Sequence, residues 1–234
     1  MSDNSKSKKR SWTAKLILCA LLAFFLFELQ YVGRIILFDF VNPSSSPYIR
    51  AEQERLLEEG KHPVLYQWVD YDQISPYLIR AIVAAEDANF MHHNGLRWDA
   101  IKTAAERNLL SDKRAPGGST LTQQTVKNLF LSHDRSYFRK AQEIILTPIV
   151  EAIWGKKRIL EIYLNIAEFG NGIFGAQAAA RYYFNKNLSR AEAIRLASIL
   201  INPKKYQFVK SAPLINRRVN RISHDLNLVQ IPQR

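Results

Sequence analysis

Two carboxylates stand out in this chain. Glu86 ends an Ala- and Ile-rich run, and Glu143 follows Arg139 by four residues. A carboxylate beside apolar neighbours loses hydration, and such a group is suited to acid or base work. Read as structure, Glu86-Asp87 is an ordinary capping or salt-bridged pair. Arg139 and Glu143 then form a local i,i+4 ion pair worth about 0.3–0.5 kcal/mol if exposed. Read as chemistry, Arg139 faces a phosphate, Lys140 adds charge there, and Glu143 holds a cation, a hydroxyl or a metal. Two carboxylates flanking a reacting bond are what glycosyl chemistry requires, although a separation of 57 positions says nothing about distance.

A third feature lies between them, Gly117-Gly-Ser-Thr-Leu-Thr-Gln-Gln-Thr-Val-Lys-Asn128. Two glycines before a helix start suit an anion, because the first N–H groups are free and the helix dipole is positive there. Thr120, Gln124, Lys127 and Asn128 then project at i, i+4, i+7 and i+8 as one polar face. Such a face is either solvated or built for a phosphate or sugar; a stripe of these residue types directly after Gly-Gly favours the ligand.

Other chemistries find no support. His92-His93 has no H-E-x-x-H or Cys partner to support a zinc site, and Cys19 is the single cysteine, so a disulfide scaffold and a multi-Cys zinc site are excluded. Neither G-x-x-x-x-G-K-[ST] nor G-x-S-x-G occurs, and Ser5-x-x-Lys8 lies in a basic tail without companion motifs. Asn187-Leu-Ser189 is a sequon by letter, with the serine better read as a helix cap.

These residues need a scaffold, and 234 residues at 47% hydrophobic content allow one globular domain with an appendage. Ser75-Pro76 predicts an N-cap with Pro at N1 and a helix over Tyr77 to Phe90, with Leu78, Ile82 and Ala85 on one face and Asn94-Gly95 as its stop. Asp99 is placed to cap Ala100 to Leu110, and Ser111 to Ser119, with Pro116-Gly117-Gly118, reads as a mobile loop. Thr120 to Phe130 is helical. Ser136 opens a long apolar-periodic stretch to Trp154 in which Pro148 should kink or break the helix. Ile159 to Ala167 and Phe174 to Phe184 are further helices, separated by Phe169-Gly-Asn-Gly172. Ser189 and Glu192 form a capping box, Asn202-Pro203 stops the following run, and a last helix fits Pro213 to Leu228. Alternating strand patterns are scarce, so the fold class is mainly α.

The appendage is N-terminal. Lys6, Lys8, Lys9, Arg10 and Lys15 precede twelve apolar residues, Leu16 to Phe27, and interrupted apolar character runs on to Phe38. About 20 residues cross a bilayer as a helix, and basic flanks stay cytoplasmic. Residues 1–15 thus read as a cytoplasmic tail, 16–38 as an uncleaved transmembrane anchor, 39–70 as a linker and lead-in segment, and 71–234 as the outer domain. No A-x-A-like site supports a cleaved signal peptide. Glu28, Gln30 and Arg34 are awkward in the span, and either snorkel at the outer interface or, in the case of Glu28, face a partner membrane helix.

The formal net charge is +12. A polyanionic partner follows, and the outward location argues against nucleic acid. Lys204, Lys205, Lys210, Arg217, Arg218, Arg221 and Arg234 face only Asp225 in residues 201–234, a cluster that either rests on anionic headgroups or is a solvated face.

Ala85-Glu-Asp-x-x-Phe-x-x-His93-x-Gly95, the Gly117–Asn128 block and Arg139-Lys-x-x-Glu143 resemble the first three signature blocks of the glycosyltransferase family 51 peptidoglycan polymerases. Lys157-x-Ile159-Leu-Glu-x-Tyr163-Leu-Asn165 resembles the fourth, and the likeness runs in order from about Tyr71 to Tyr206. It implies a lysozyme-like glycosyltransferase domain behind a single membrane helix, acting on lipid II and the growing glycan strand at the outer face of the bacterial inner membrane. By this resemblance Glu86 is the general base and Glu143 the second carboxylate, assisting near the donor diphosphate. Lys127 and Arg139 bind the diphosphate, with Lys140 adding charge. Ser119, Thr120, Gln123, Gln124 and Asn128 belong to the substrate groove, and Asp87, Phe90 and His93 to the surroundings of the base. The resemblance admits a divalent cation such as Mg or Mn at the diphosphate, and contacts with membrane lipids and with cell-division or other wall-synthesis proteins.

Two rival readings remain at the level of sequence. A lysozyme-like hydrolase or lytic enzyme accounts for Glu86 but not for Lys127, Arg139 and the anchor. A catalytically idle glycan-binding membrane protein leaves the paired Glu86 and Glu143 unexplained.

Overall fold

The computed structural model describes residues 3–99, 102–103, 118–132, 136–185, 187–209 and 211–233. Helix α1 spans Asp3–Phe40, and its segment Lys15–Phe40 is long and apolar enough to cross a membrane. At 1.5 Å per residue that segment reaches about 39 Å, more than a hydrocarbon core of about 30 Å. Its surplus is docked on the domain. Ile35 is fully buried, Trp154 Nε1 donates to Ile35 O at 2.8 Å, and Phe38 stacks on Phe130 with ring centroids 6.0 Å apart. Arg158 donates to the Phe38 and Val41 carbonyls and to Asn42 Oδ1, closing the C-terminal end of α1.

The lead-in segment is more structured than its composition suggested. Ser46 caps helix α2 (Pro47–Glu58), its Oγ accepting from Ile49 N at 3.2 Å, and strand β1 (Leu65–Tyr66) follows. A single 3-10 turn, Tyr71–Gln73, leads into α3 (Pro76–Glu86), whose face of Leu78, Ile79, Ile82, Val83 and Ala85 is buried. Ser75 holds the N-cap position through its carbonyl, which accepts from Leu78 N and Ile79 N; its side chain makes no capping bond.

Helix α3 stops four residues earlier than its apolar pattern predicts. Asp87 leaves helical geometry at φ −160°, because its carboxylate is drawn into bonds with another helix. A 3-10 turn at Phe90–His92 and Gly95 at φ +82° then reverse the chain. Gly95 is required twice over, since a Cβ there would lie 2.7 Å from Glu151 Cγ and 2.7 Å from Thr147 Cγ2. Trp98 and Asp99 are already helical, so Asp99 lies within a helix start; the expected helix over 100–110, apart from helical 102–103, and the loop up to Gly117 lie outside the described residues.

Helix α4 (Leu121–Phe130) is the centre of the domain. All its residues are buried except Gln124 and Lys127, which are half-buried. It packs against α5 (Tyr137–Ile153), α6 (Lys156–Ile166) and α2. Helix α5 runs continuously through Pro148, so of the kink or break that proline predicts, the break does not occur.

Strands β2 (Glu168–Gly170) and β3 (Ile173–Phe174) make a hairpin, and β1 joins β3 in parallel, giving the order β1-β3-β2. Phe174 is therefore a strand residue, and the next helix, α7, starts later, at Ala176–Phe184. Ser189 and Glu192 form the expected capping box on α8 (Arg190–Ile199). After Asn202, which caps the single turn α9 (Pro203–Tyr206), the last helix among the described residues is α10 (Pro213–Asp225), packed on α3 and α8.

Candidate active site

Glu86 is the last residue of α3, and both its oxygens are held. Arg218 Nη2 of α10 donates to Oε1 at 2.8 Å, and Gln124 Nε2 of α4 donates to Oε2 at 3.1 Å. The two ion-paired side chains keep 17% and 13% of their surface, so Glu86 is lodged in a wall yet reachable. Arg218 is itself fixed, Nε donating to Ser198 O at 3.1 Å, and Arg221 Nη2 donates to the Ala85 carbonyl at 3.0 Å. On the far side of Gln124, its Oε1 accepts from Tyr163 OH at 3.2 Å.

Glu143 lies on α5 with 3% of its side chain exposed. Arg139 Nη1 reaches Oε2 at 2.9 Å, and Lys140 Nζ bonds Oε1 while also lying 3.3 Å from the exposed Ser119 hydroxyl. Lys127 projects from α4 into the field of both carboxylates. Burial holds its ammonium below the usual lysine value; Glu143 and, more weakly, Glu86 oppose that, whereas Arg139 and Lys140 reinforce it. The described site thus gathers four cations, Lys127, Arg139, Lys140 and Arg218, against two carboxylates. Such an excess in partly desolvated surroundings suits a multiply charged anion.

The remaining predicted residues build the support. Asp87, 3% exposed, accepts from Leu121 N at 3.0 Å and from His93 Nε2 at 2.9 Å, capping the first turn of α4 with a carboxylate. Gly95 N donates to His93 Nδ1 at 3.1 Å, which places the neutral ring's proton on Nε2. Thr120 and Gln123 form a reciprocal capping box, and Thr120 Oγ1 also donates to Gly95 O at 2.5 Å. Phe90 is fully buried beneath Lys156, whose Nζ stands 4.5 Å from the ring centroid and donates to His93 O at 2.6 Å. Asn128 is also buried. The single polar stripe expected on Thr120–Asn128 therefore divides: Gln124 and Lys127 stay half-exposed, while Thr120 and Asn128 are buried.

Sequence reasoning left two participants unassigned, Arg218 and Tyr163. Arg218 sits in a basic run that looks like a solvated face, and only the packing of α10 on α3 and α8 separates it from its neighbours. The C-terminal charge is in part internal, since Arg218 and Arg221 hold the end of α3 and Lys204 pairs with Glu52 at 2.8 Å. Lys210 and Arg234 lie outside the described residues. As for a cation, Glu143 would offer an ion one carboxylate whose oxygens are already bonded to Arg139 and Lys140, and the described residues hold no group of three or more His, Cys, Asp or Glu side chains placed to bind one. The residues present do not make a metal site by themselves.

One carboxylate ends a largely buried helix and a second is bonded to two cations, on a mainly helical body behind an apolar helix, an arrangement suited to acid–base work and to binding an anion. Residues 53–227 match the family model described as Transglycosylase. The chain is also 44% identical to a biosynthetic peptidoglycan transglycosylase of Bordetella avium over 97% of this chain and 99% of that one. It is 41% identical to a protein of the same name from Laribacter hongkongensis, over 94% and 99%, and 39% identical to one from Nitrosospira multiformis, over 95% and 99%. The chain belongs to the transglycosylase family.

Proposed function

We propose that this enzyme is a peptidoglycan glycosyltransferase that joins lipid II units into β-1,4-linked glycan strands for the bacterial cell wall. The Glu86 carboxylate takes the proton of the acceptor sugar's 4-hydroxyl. That oxygen forms its bond to the donor's anomeric carbon as the bond to the diphosphate breaks, and the electron pair leaves with undecaprenyl diphosphate. Attack opposite the leaving group inverts the anomeric configuration. Lys127, Arg139 and Lys140 neutralise the departing diphosphate, where preorganised charge acts most strongly, and Glu143 keeps Arg139 and Lys140 aimed.

The observation that carries this reading is the separation of tasks around Lys127, which lies in the field of both carboxylates. Glu86 is held by Arg218 and Gln124, and the cation group is built around Glu143 with Lys127 in the field of both carboxylates. The names of the relatives support it. A lytic enzyme has no use for three cations beside the second carboxylate. The basic tail before Leu16 favours an N-terminus in the cytoplasm, a single pass through the inner membrane and a catalytic domain outside it.

Incubation with lipid II tests the reading. Polymer and released undecaprenyl diphosphate are expected from the wild type and neither from Glu86→Gln. Cleavage of preformed glycan without polymer would replace synthesis by the lytic reading.

A further inference from the structure

Tyr163 has no part in the transfer as described above, yet its hydroxyl is the next bonded group behind the one that holds Glu86. The side chain is 2% exposed, on the central part of α6. Its backbone is well anchored. Two residues on, Asn165 donates to Val69 O and accepts from Val69 N, both at 2.9 Å, and Glu161 Oε1 accepts from Tyr71 N at 2.8 Å. The hydroxyl therefore has a fixed place in the core.

Gln124 has an amide that fits its slot in two orientations of nearly equal shape, so its partners decide which end points where. Facing a carboxylate, the amide must present its NH2 group, and it does so to Glu86 Oε2 at 3.1 Å. Its carbonyl oxygen is then turned to Tyr163, 3.2 Å away, and only a protonated phenol can satisfy it. Complete burial, with Glu86 nearby, holds the Tyr163 hydroxyl well above its usual titration range, so it stays a donor at any working pH. Gln124 itself is half-buried on α4, and it needs a partner behind it to keep one orientation.

We propose that Tyr163 is a positioning residue for the transfer reaction: by donating to Gln124 Oε1 it locks the amide with its NH2 toward Glu86 and so fixes the direction in which Glu86 presents its lone pairs to the acceptor hydroxyl. The carboxylate is gripped from two independent directions, by Arg218 on α10 and by the Tyr163–Gln124 pair on α6 and α4. The second grip survives only while the phenol oxygen is present. The role rests on the reading of Glu86 as the base.

The test is a double-mutant cycle on the full-length enzyme in detergent, with lipid II polymerisation as the assay. Tyr163→Phe is expected to lower kcat about 3- to 10-fold, the range of one neutral hydrogen bond, with KM unchanged within about 2-fold. Gln124→Met is expected to lower kcat as well, and the double variant to be no slower than Gln124→Met alone. Full turnover in Tyr163→Phe, or penalties that multiply in the double variant, would overturn the role. Should Tyr163→Phe not fold, difluorotyrosine at position 163 keeps the shape with a more acidic hydroxyl. Because that hydroxyl still donates to Gln124 Oε1, kcat near neutral pH should stay within about 2-fold of the wild type's, and a fall as large as about 10-fold would count against the proposal. Glu86→Gln separates the two levels: if it stays active, the base reading falls and this role with it; if it is inactive while the cycle is additive, only the role of Tyr163 falls.

Discussion

The guanidinium of Arg218 donates to Glu86 across 2.8 Å, joining residues 132 positions apart. Because Nε of the same side chain is bonded to Ser198 O, the group cannot swing away without giving up both contacts. Removing a hydrogen bond to a charged group should lower kcat in Arg218→Ala about 10- to 100-fold. Arg218→Lys should recover part of it, since lysine restores the charge without the fork. Polymerisation rates read beside melting temperatures check this, and full turnover in Arg218→Ala would remove Arg218 from the site.

Lys127 predicts a pH dependence of defined sign. Its ammonium is held below the usual 10.5, chiefly by burial. Between that depressed value and 10.5 the unfolded chain binds more protons than the folded one, so stability rises with pH in that window. Activity moves the other way, because the cation is lost at lower pH than a free lysine would lose it. Lys127→Arg, always charged, should shift the alkaline limb of kcat/KM to higher pH in a profile from about pH 7 to about pH 11. An unmoved limb would show that another group titrates there.

Asp87 and Lys127 should separate folding from turnover. Asp87→Ala leaves Leu121 N and the His93 ring without their buried partner. Leaving such buried donors unpaired costs about 1–3 kcal/mol each, a melting shift on the order of 10 °C together. Lys127→Ala removes a cation with no hydrogen-bonded partner among the described residues, and it should lower lipid II use far more than it lowers the melting temperature. Calorimetry and the polymerisation assay on both variants decide this, and comparable melting losses would defeat the distinction.

Arg158 ties the anchor to the domain. It bonds the Phe38 and Val41 carbonyls and Asn42 Oδ1, and pairs with Glu161 at 2.6 Å. Arg158→Ala should raise amide exchange over the last turn of α1 and leave exchange in α4 unchanged. Equal exchange at the end of α1 would mean that Trp154 and the Phe38–Phe130 stack hold it alone.

Much of the local structure was legible in the residues themselves. The capping box of Ser189 and Glu192, the helices over Thr120–Phe130 and Ser136–Trp154, and the apolar span after Lys15 follow from caps and periodicities that act within a few residues. The errors came where distant contacts override such rules. Asp87 ends α3 early because Leu121 and His93 claim its carboxylate, and Phe174 joins a strand because Tyr66 and Glu168 pair with it.

The candidate site divides along the same line. Residue types and spacing by themselves singled out Glu86, Glu143, Arg139 and Lys127, because a carboxylate pair ending an apolar run, an i,i+4 pair and a polar position after Gly-Gly are one-dimensional signals. Which groups stay accessible was decided by tertiary structure alone. Burial of α4 on all other sides leaves only Gln124 and Lys127 half-exposed on that helix, and Thr120 and Asn128, equally polar, are turned inward. Arg218 had no signal of its own in the chain, and Tyr163, although it falls in the fourth resemblance block, carried no role there. A basic residue among basic residues and a tyrosine in a helical core acquire a role only when α10 and α6 are packed beside α3 and α4, because a hydrogen bond depends on distance in space and carries no trace in sequence separation.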